Sequence, residues 1–346
     1  DPKARVACEV AVKGGLVLIM GEITTSAIVD YEQIARETIR EIGYTDPALG
    51  FDYRSCGIIT SITKQSPDIA MGVDENSSKP LGAGDQGIMF GYATAETPNY
   101  MPLPIELSRR IVNRLRECRE TKELPYLRPD GKAQVTVEYN SLEPIKVAAV
   151  VISAQHGPEV SLEQLRKDIE HNVIRKVIDE RYLSSDTKFF INYTGKFELG
   201  GPCADSGLTG RKIIVDTYGG MSRHGGGSFA GKDPTKVDRS AAFAARHAAK
   251  NVVAAGLAKR CEVQLCYSIG YDKPIAISVN TYGTATISEE EIEKRLLENF
   301  DFTPAGMISY YDLQRPIYKQ MSRIGYFGIE SAEYTWERLE KKNQLQ

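Results

Sequence analysis

The sequence predicts an α+β fold of three pseudo-symmetric domains, each a small mixed sheet of hairpins covered by helices. The main observation is an arrangement that recurs along the chain, in which two alternating strands and a short turn are followed by an amphipathic helix. A second observation is the long helix that precedes the hairpin in two of the three units. The third is composition, since 42% apolar and 26% charged residues in 346 positions are typical of a globular chain with a substantial core.

The first repeated unit lies at the start of the sequence. The alternating segment 5–12 reads as a strand, 13–15 as a turn and 16–24 as the returning strand, before a helix over about 31–42. The other two units have a long helix before their hairpin, and this unit has none. We therefore expect a helix of about 20 residues, the length of its two counterparts, to precede Asp1 in the complete protein.

The second and third units include that preceding helix. The second has a helix at 104–122, strands at 134–139 and 145–154 and a helix at 161–178, and the third has a helix at 238–258, strands at 262–269 and 274–281 and a helix at 288–300. Ser288 reads as an N-cap, with Glu291 at the capping-box position. Because each sheet must bury its apolar face, three sheets covered by helices follow. We expect domains at 1–70, 81–199 and 200–338.

Composition also excludes several classes of function. The net charge is −3 and basic residues are mixed with acidic ones, so a nucleic-acid partner has no electrostatic support. The longest apolar run, 148–154, is far too short to span a membrane, and we expect no membrane partner. Six cysteines without a CxxC pair and four scattered histidines favour reduced thiols in a cytoplasmic protein and argue against a zinc site.

The glycine-rich run 225–240, GGGSFAGKDPTKVDRS, is the strongest functional signal. It reads as a flexible loop followed by a helix with Asp233 as N-cap and Pro234 as first residue. Free N–H groups at that helix start, with Lys232 and Lys236, would bind an anion such as phosphate. The spacing of a P-loop is met, but an aspartate stands where that motif needs a hydroxyl for magnesium, which excludes an ordinary P-loop NTPase.

Three other segments place charged side chains among glycines or in turns. LGAGDQG contains Asp85, and GGPCADSGLTGRK contains Asp205 before two cations and a strand predicted at 213–216. RPDGKAQ, with Asp130 and Lys132, reads as a tight turn. Each alone could be a surface turn. Together, a polyphosphate could be surrounded by Lys132, Arg211, Lys212, Lys232 and Lys236, while Asp85, Asp205 and Asp238 suit Mg²⁺, a ribose or an amine.

Four motifs of this sequence resemble the S-adenosylmethionine synthase family, the methionine adenosyltransferases. They are GAGDQG, GGGSFAGKDPTKVDRS, DSGLTGRKIIVDTYGG and KQSPDI, and the resemblance extends from Asp1 to about Trp336. It implies three pseudo-symmetric domains and a homodimer or homotetramer with active sites between subunits. The implied reaction is attack by the methionine sulfur on the ribose C5′ of ATP, with release of triphosphate that is then hydrolysed to phosphate and pyrophosphate. The implied cofactors are Mg²⁺, two per site, and K⁺.

The resemblance also implies roles for individual residues. ATP would be bound by Asp130, Lys132, Lys196, Phe197, Asp205, Arg211, Lys212, Ser228 and Lys232, of which Lys132, Arg211, Lys212 and Lys232 would be catalytic. Methionine would be bound by Glu22, Gln65, Asp85, Asp205, Lys236 and Ile269. Potassium would be held by Glu9 and magnesium by Asp238. The segment from Gln65 to about Glu75 resembles the family's mobile loop over the active site.

One departure from the family keeps an alternative open. Its G-H-P-D-K motif, which supplies a histidine and a magnesium-binding aspartate, is not in this sequence and would lie in the segment expected before Asp1. We expect very low synthase activity from a protein that begins at Asp1. The alternative is a non-catalytic nucleotide- or polyphosphate-binding subunit. A triphosphatase or kinase-like phosphotransferase is a further enzyme alternative.

Overall fold

The computed structural model describes residues 1–66 and 80–346. The strands of the described residues are β1 Arg5–Lys13, β2 Leu16–Thr24, β3 Gly57–Thr63, β4 Gly87–Thr94, β5 Leu127–Asn140, β6 Glu143–His156, β7 Lys188–Ile191, β8 Gly207–Leu208, β9 Arg260–Tyr267 and β10 Ala276–Asn280. The helices are α1 Tyr31–Ile42, α2 Leu103–Glu120, α3 Leu162–Ile169, α4 Arg175–Val177, α5 Gly201–Ala204, α6 Ile213–Asp216, α7 Val237–Ala254, α8 Glu289–Asn299, α9 Pro304–Tyr310, α10 Tyr318–Ile324 and α11 Lys342–Leu345. Short 3₁₀ turns lie at Pro47–Leu49, Glu180–Tyr182 and Thr335–Glu337, and a π turn at Glu170–Ile174 joins α3 to α4.

The described strands form three small sheets, which confirms the predicted α+β class. Their orders are β3-β2-β1-β8, β10-β9-β4 and β5-β6-β7. The β2–β3 and β6–β7 pairs are parallel and the other pairs are antiparallel. Helices pack against one face of each sheet, as the need to bury an apolar face requires.

The three hairpin-and-helix units predicted from periodicity are confirmed. Hairpins β1–β2, β5–β6 and β9–β10 are followed by α1, α3 and α8, and the long helices α2 and α7 precede the second and third hairpins. Each following helix has a side-chain N-cap, since Asp30, Ser161 and Ser288 each accept a hydrogen bond from the backbone N–H three residues later. These caps satisfy N–H groups that the helix itself leaves free.

Two sheets draw strands from distant parts of the chain. Strand β4 pairs with β9 along its whole length, from Gly87 opposite Tyr267 to Thr94 opposite Arg260. The short strand β8 pairs with the end of β1. The sheets therefore do not follow the order of the sequence segments, and the domain boundaries expected from the sequence stay a prediction.

Helix α7 forms the centre of the largest core. Almost all of its side chains are buried, and its alanine-rich surface lets β4 approach so closely that a Cβ at Gly91 would overlap the backbone of Ala245. The indole ring of Trp336 stacks on Phe243 of this helix, with ring centroids 4.1 Å apart. This close packing fixes the position of α7, which carries Asp238 in its first turn.

Three local predictions are wrong. Residues 213–216 form helix α6 rather than a strand, because Arg109 of α2 donates to the carbonyls of Val215 and Thr217 and holds the segment in a turn. The turn expected around Asp130 lies within β5, which has a register shift there. The helix expected from Pro234 begins at Val237.

None of the helices in the described ranges is long and apolar enough to cross a membrane.

Candidate functional site

A cavity of about 510 Å³ lies where the glycine-rich run meets β1, β2 and the start of β4. Its lining residues are Glu9, Met20, Asp85, Gln86, Gly87, Leu208, Thr209, Gly210, Gly225, Gly226, Gly227, Ser228, Lys232 and Asp238. Glu9 and Met20 are opposite each other on β1 and β2, on the sheet face that points away from α1. The cavity therefore opens on the uncovered face of the first sheet.

Glycines allow the loop to pack against its neighbours. A Cβ at Gly225 would collide with the carbonyl oxygen of Ile88, and a Cβ at Gly227 would collide with the carboxylate of Asp238. Gly231 has a φ of +76°, and a side chain there would strike the carbonyl of Cys8. Close backbone approach, more than flexibility, explains these glycines.

The end of the loop lies along the edge of β1. The Cys8 N–H donates to the carbonyl of Gly231 over 2.8 Å, and the Asp233 N–H donates to the carbonyl of Val6 over 3.2 Å. An isolated antiparallel bridge between Ala7 and Lys232 lies between these two bonds. The first sheet therefore fixes the position of Lys232 at the cavity wall.

Lys232 and Asp238 form an ion pair in the cavity wall. The Lys232 Nζ is 2.5 Å from the Asp238 Oδ2, and the two side chains are 20% and 12% exposed. Lys232 lies at the end of the loop and Asp238 in the first turn of α7. A cation and a carboxylate are thus held side by side and remain accessible from the cavity.

A second ion pair, between Asp233 and Lys236, is buried beneath the first. Asp233 Oδ2 accepts from the Lys236 Nζ at 2.5 Å and from the Val6 N–H at 2.7 Å, and its other oxygen accepts from Thr235. Burial acts to raise the pKa of Asp233, but the Lys236 ammonium and these hydrogen bonds hold it below its ordinary value. The carboxylate that was expected to cap a helix instead ties the loop to β1, which explains the later start of α7.

Arg239 supports the loop from inside α7. Its side chain is buried, its Nε donates to the carbonyl of Lys232 over 2.9 Å, and its Nη2 donates to the carbonyl of Phe229. The guanidinium carbon lies 4.5 Å from the ring centroid of Tyr318. This buried cation fixes the backbone on both sides of Gly231 and was not found from the sequence.

His224 is another residue that sequence reasoning missed. Its Nδ1 accepts a hydrogen bond of 2.8 Å from the Gly226 N–H, which leaves the ring proton on Nε2. Burial lowers the pKa of His224, against the opposing influence of the Asp238 carboxylate. A histidine directly before three glycines was the signal, because its side chain can bind the loop's own backbone.

The structure places five of the predicted residues in one cavity. These are Glu9, Asp85, Ser228, Lys232 and Asp238. Asp85 is exposed and accepts from the Gln86 N–H over 2.8 Å. Lys236 lies just behind the wall and is occupied by Asp233.

The other predicted ATP residues lie outside this cavity. Asp205, Arg211 and Lys212 are exposed on the segment that flanks β8, and Arg211 donates to the carbonyl of Ser206 over 3.1 Å. Lys132 is exposed on β5. No contact among the described residues brings Lys132 to Lys232.

Three more predicted residues lie near the junction of β5 with segment 196–201. The Asp130 carboxylate accepts from the Gly201 N–H over 2.9 Å. The Phe197 N–H donates to the Nε2 of His156 over 3.1 Å, and Lys196 is 3.3 Å from Glu198. These contacts hold the backbone of the segment, while the Lys196 side chain remains 71% exposed.

The predicted methionine residues are only partly gathered. Glu22 is exposed on β2 and lies on the same sheet face as Glu9, one cross-strand pair away. The Gln65 N–H donates to the Thr24 hydroxyl over 3.4 Å, and Ile269 is 47% exposed after β9. Most of the expected active-site loop, residues 67–75, lies outside the described residues.

The donor set of the cavity fits magnesium only with help from a ligand. In residues 1–66 and 80–346 there is no group of three histidine, cysteine or acidic side chains arranged to hold a metal. Asp238 offers a carboxylate beside the phosphate-suited Lys232. Mg²⁺ is often held by one or two carboxylates and the phosphate oxygens of a substrate, so these residues fit that mode.

Comparison with known proteins gives one consistent result. Three family models match the chain: the S-adenosylmethionine synthetase N-terminal domain at residues 1–67, the central domain at 80–197 and the C-terminal domain at 199–338. The chain is also 56% identical over 354 aligned positions to an S-adenosylmethionine synthase of Desulforudis audaxviator (strain MP104C). That alignment covers 100% of this chain and 90% of the relative.

Proposed function

Because this chain belongs to the S-adenosylmethionine synthetase family, we propose that it forms S-adenosylmethionine by attack of the methionine sulfur on the ribose C5′ of ATP. Family membership makes it a methionine adenosyltransferase, an enzyme that transfers an adenosyl group. The proposal adds that the whole triphosphate leaves and is then hydrolysed to phosphate and pyrophosphate. The observation that carries it is the preformed Lys232–Asp238 pair in a glycine-walled cavity.

The chemistry suits this kind of site. A thioether has no proton to lose, so the reaction needs no general base to activate the nucleophile. The difficulty is to align two reactants and to stabilise a highly charged leaving group. Lys232 at the cavity wall can hold the triphosphate. Lys132, Arg211 and Lys212 would add positive charge from the exposed group, by which we mean the exposed cations outside the cavity: Lys132, Lys196, Arg211 and Lys212. A cation that already lies in place would stabilise the growing charge without having to be moved there.

We assign the triphosphate to the cavity and the remaining parts of the two substrates to residues around it. The triphosphate would lie at Ser228 and Lys232. The adenosine would extend toward Asp130, Lys196 and Phe197. The methionine would lie on the sheet face near Glu22, with Gln65, Asp85, Asp205 and Ile269 around it and Lys236 behind. The position of Glu22 and Glu9 on one sheet face supports a site for the methionine ammonium there.

Two cations belong to this proposal. Asp238 would hold Mg²⁺ together with phosphate oxygens, and two such ions per site are expected from the family. Glu9, which lines the same cavity, would hold K⁺. The bound ions would neutralise charge on the triphosphate, while Lys232 orients it.

We propose that the site is completed by a second copy of the chain in a homodimer or homotetramer. The predicted ATP residues that do not reach the cavity support this, because a second copy could bring them to it. The uncovered face of the first sheet is apolar enough to be buried, with Leu16 and Ile59 43% and 53% exposed. We also propose a cytoplasmic location, on the basis of the unpaired thiols.

Mixing two variants of reduced activity tests the shared site. Lys232→Ala removes a residue of the cavity, and Lys132→Ala removes one of the exposed group. If Lys232 and Lys132 meet across subunits, a mixture refolded together should have more activity than either variant has alone. Recovery should fail if both residues act within one subunit.

The reaction is tested with full-length protein, ATP, methionine, Mg²⁺ and K⁺. Mass spectrometry should detect S-adenosylmethionine, with phosphate and pyrophosphate in equal amounts. ATP consumption in the absence of methionine would instead indicate a triphosphatase or phosphotransferase. Binding of ATP without any product would support a non-catalytic nucleotide-binding subunit.

A further inference from the structure

Glu262 carries a buried carboxylate that does not line the glycine-walled cavity and has none of the roles assigned above. It lies on β9, the central strand of the β10-β9-β4 sheet, between Tyr92 of β4 and Asn280 of β10. Its relative exposure is only 2%. Because a carboxylate is costly to bury unless donors satisfy its oxygens, the contacts of Glu262 indicate its role.

Donors from the segment directly before the glycine-rich run converge on this carboxylate. Glu262 Oε2 accepts from the Ser222 hydroxyl and from the Arg223 N–H, each over 2.9 Å. Its Oε1 lies 2.8 Å from the Arg223 Nε. One side chain of β9 therefore holds both the backbone and the side chains of residues 222–223.

Two aromatic residues of the same region complete these contacts. The Tyr282 hydroxyl, just after β10, donates to Glu262 Oε2 over 3.0 Å. Burial and the Glu262 charge raise the pKa of Tyr282, which keeps its hydroxyl protonated as a donor. The Arg223 guanidinium carbon also lies 5.8 Å from the ring centroid of Phe90 on β4. Residues 222–223 are thus fastened to the β10-β9-β4 sheet.

This fastened segment leads directly into the cavity wall. His224 follows it, and its Nδ1 accepts from the Gly226 N–H. Gly225, Gly226 and Gly227 line the cavity. Because glycines have no side chains to restrict their backbone, the conformation of this wall depends on what holds its two ends. Contacts with β1 and Arg239 hold the later end, as described above, and Glu262 holds the earlier one.

We propose that Glu262 is a positioning residue for the phosphate-binding wall. By holding Ser222 and Arg223 against β9, it sets the backbone of residues 225–227 in the conformation that receives the triphosphate. Glu262 does not contact the substrate and acts through this segment. The identity of the substrate rests on the proposed function, whereas the contacts that hold the segment are a property of the folded chain.

The first test measures nucleotide affinity in full-length protein, with adenylyl imidodiphosphate and Mg²⁺ in isothermal titration calorimetry. Glu262→Gln places an amide group where a carboxylate accepts from Ser222 and Arg223. The looser wall should raise the Kd by about tenfold, the effect of losing a charge-assisted contact. In steady-state kinetics the KM for ATP should rise by a similar factor, while the KM for methionine stays as in the parent protein.

These measurements separate positioning from stability. A role in stability alone would lower kcat through loss of folded enzyme and leave the Kd and both KM values unchanged. That result would overturn the proposal.

Amide hydrogen exchange tests the role of Glu262 without reference to the reaction. In Glu262→Gln, exchange at Gly226, read by mass spectrometry of overlapping peptides, should become faster while exchange within α7 stays as in the parent protein. Unchanged exchange at Gly226, or an equal increase throughout the chain, overturns the proposal. If the protein forms no S-adenosylmethionine but the Kd and the exchange at Gly226 change as expected, the proposed function fails and the positioning role stands.

A milder variant and a matched control complete the test. Ser222→Ala removes one donor and leaves Glu262 paired with Arg223, so the Kd should rise by about two- to fivefold. The control, Glu293→Gln, makes the same chemical change at a carboxylate of α8 that accepts from the Val279 N–H of β10 over 2.9 Å. It should leave the Kd unchanged. An unchanged Kd in Ser222→Ala, or an equal rise in the control, would contradict the positioning role.

Discussion

The glycine-walled cavity and the exposed group of ATP residues differ in how firmly contacts within this chain hold their side chains in place. In the cavity, Lys232 and Asp238 are 20% and 12% exposed and are paired with each other, and the buried Asp233–Lys236 pair anchors them to β1. In the exposed group, Lys196 is 71% exposed. The chain therefore fixes the residues suited to the triphosphate in advance and leaves the others open to be positioned by substrate or by a second copy.

This difference predicts that substitutions in the cavity wall and in the exposed group change stability by different amounts. The paired residues of the cavity wall, Lys232 with Asp238 and Asp233 with Lys236, support both folding and chemistry, since they are mostly buried against one another. Residues of the exposed group have few partners within the chain. Their substitution should weaken substrate binding and leave the free energy of unfolding almost unchanged. Substitutions at Asp233, Lys232 and Phe197 measure this contrast.

The largest expected effect is on stability, from Asp233→Ala. The change leaves the Lys236 ammonium buried without its partner and the Val6 N–H without an acceptor. We expect a loss of about 3–5 kcal/mol in the free energy of unfolding, measured by urea denaturation. As a control, Asp85→Ala removes an exposed carboxylate of the same cavity and should change stability by less than about 0.5 kcal/mol. Equal losses in the free energy of unfolding from the two substitutions would contradict the contrast between buried, paired residues and exposed ones.

Relative to the free energy of unfolding that it costs, Lys232→Ala should reduce activity more than the other substitutions do. It removes a cation from the cavity wall and leaves Asp238 without its partner. We expect kcat/KM to fall by about 10- to 100-fold, equivalent to a charge-assisted contact of roughly 1.5–3 kcal/mol. Steady-state kinetics measure this, with the exposed Lys167→Ala as control. Unchanged kinetics would show that Lys232 does not contact the substrate.

Asp216→Asn should increase stability at neutral pH. Burial raises the pKa of Asp216 to about 6, although Arg109 and Arg239 act to lower it. The folded chain thus holds this proton more tightly than the unfolded chain, in which the pKa is about 4. The contribution of Asp216 to stability therefore declines as pH rises from about 4 to 6 and stays low above that range.

An asparagine removes this dependence. We expect a gain of about 1–2 kcal/mol at pH 7.5, discounted because the side chain is only partly buried, and little difference from the parent at pH 4. Thermal or urea unfolding across this pH range measures the effect. A variant that is less stable than the parent at pH 7.5 would show that the ionised carboxylate is needed by its arginine neighbours.

The smallest expected effect is at Phe197, which lies outside the cavity next to the exposed Lys196. Phe197→Leu should raise the KM for ATP by about 2- to 10-fold, the range of an aromatic stacking contact, and change the KM for methionine less. The nearby Tyr193, which is 75% exposed, provides a control aromatic residue for Tyr193→Leu. A larger change in the methionine KM would overturn the assignment of Phe197 to adenine.

Much of the fold could be predicted because its signals are local. Alternation and caps such as Ser161 lie within one unit of sequence, so the three hairpins and their helices were found. The pairing of β4 with β9 has no such signal, because it depends on two segments far apart in the chain. Helix α6 was predicted as a strand because its β-branched residues favour one, whereas Arg109 of α2 decides the outcome.

The site was predictable by residue type more than by arrangement. Glycines, lysines and Asp238 in one run indicated an anion site, and the structure brings Lys232 and Asp238 together. The partner of Asp233 could not be seen, because Val6 is distant in sequence. Arg239 reads as an ordinary helix cation until its position beneath the loop is known.

The pairing of β4 with β9 also affects the order in which parts of the chain can fold during synthesis. The ribosome releases β4 long before its partner strand, so in a growing chain β4 has neither β9 beside it nor α7 beneath it. The cavity wall also depends on residues that are synthesised later, because the edge of β1 cannot form its hydrogen bonds until Gly231 and Asp233 are available. We expect the catalytic surface to be among the last parts of the nascent chain to form, and the early strands to depend on protection from aggregation until then.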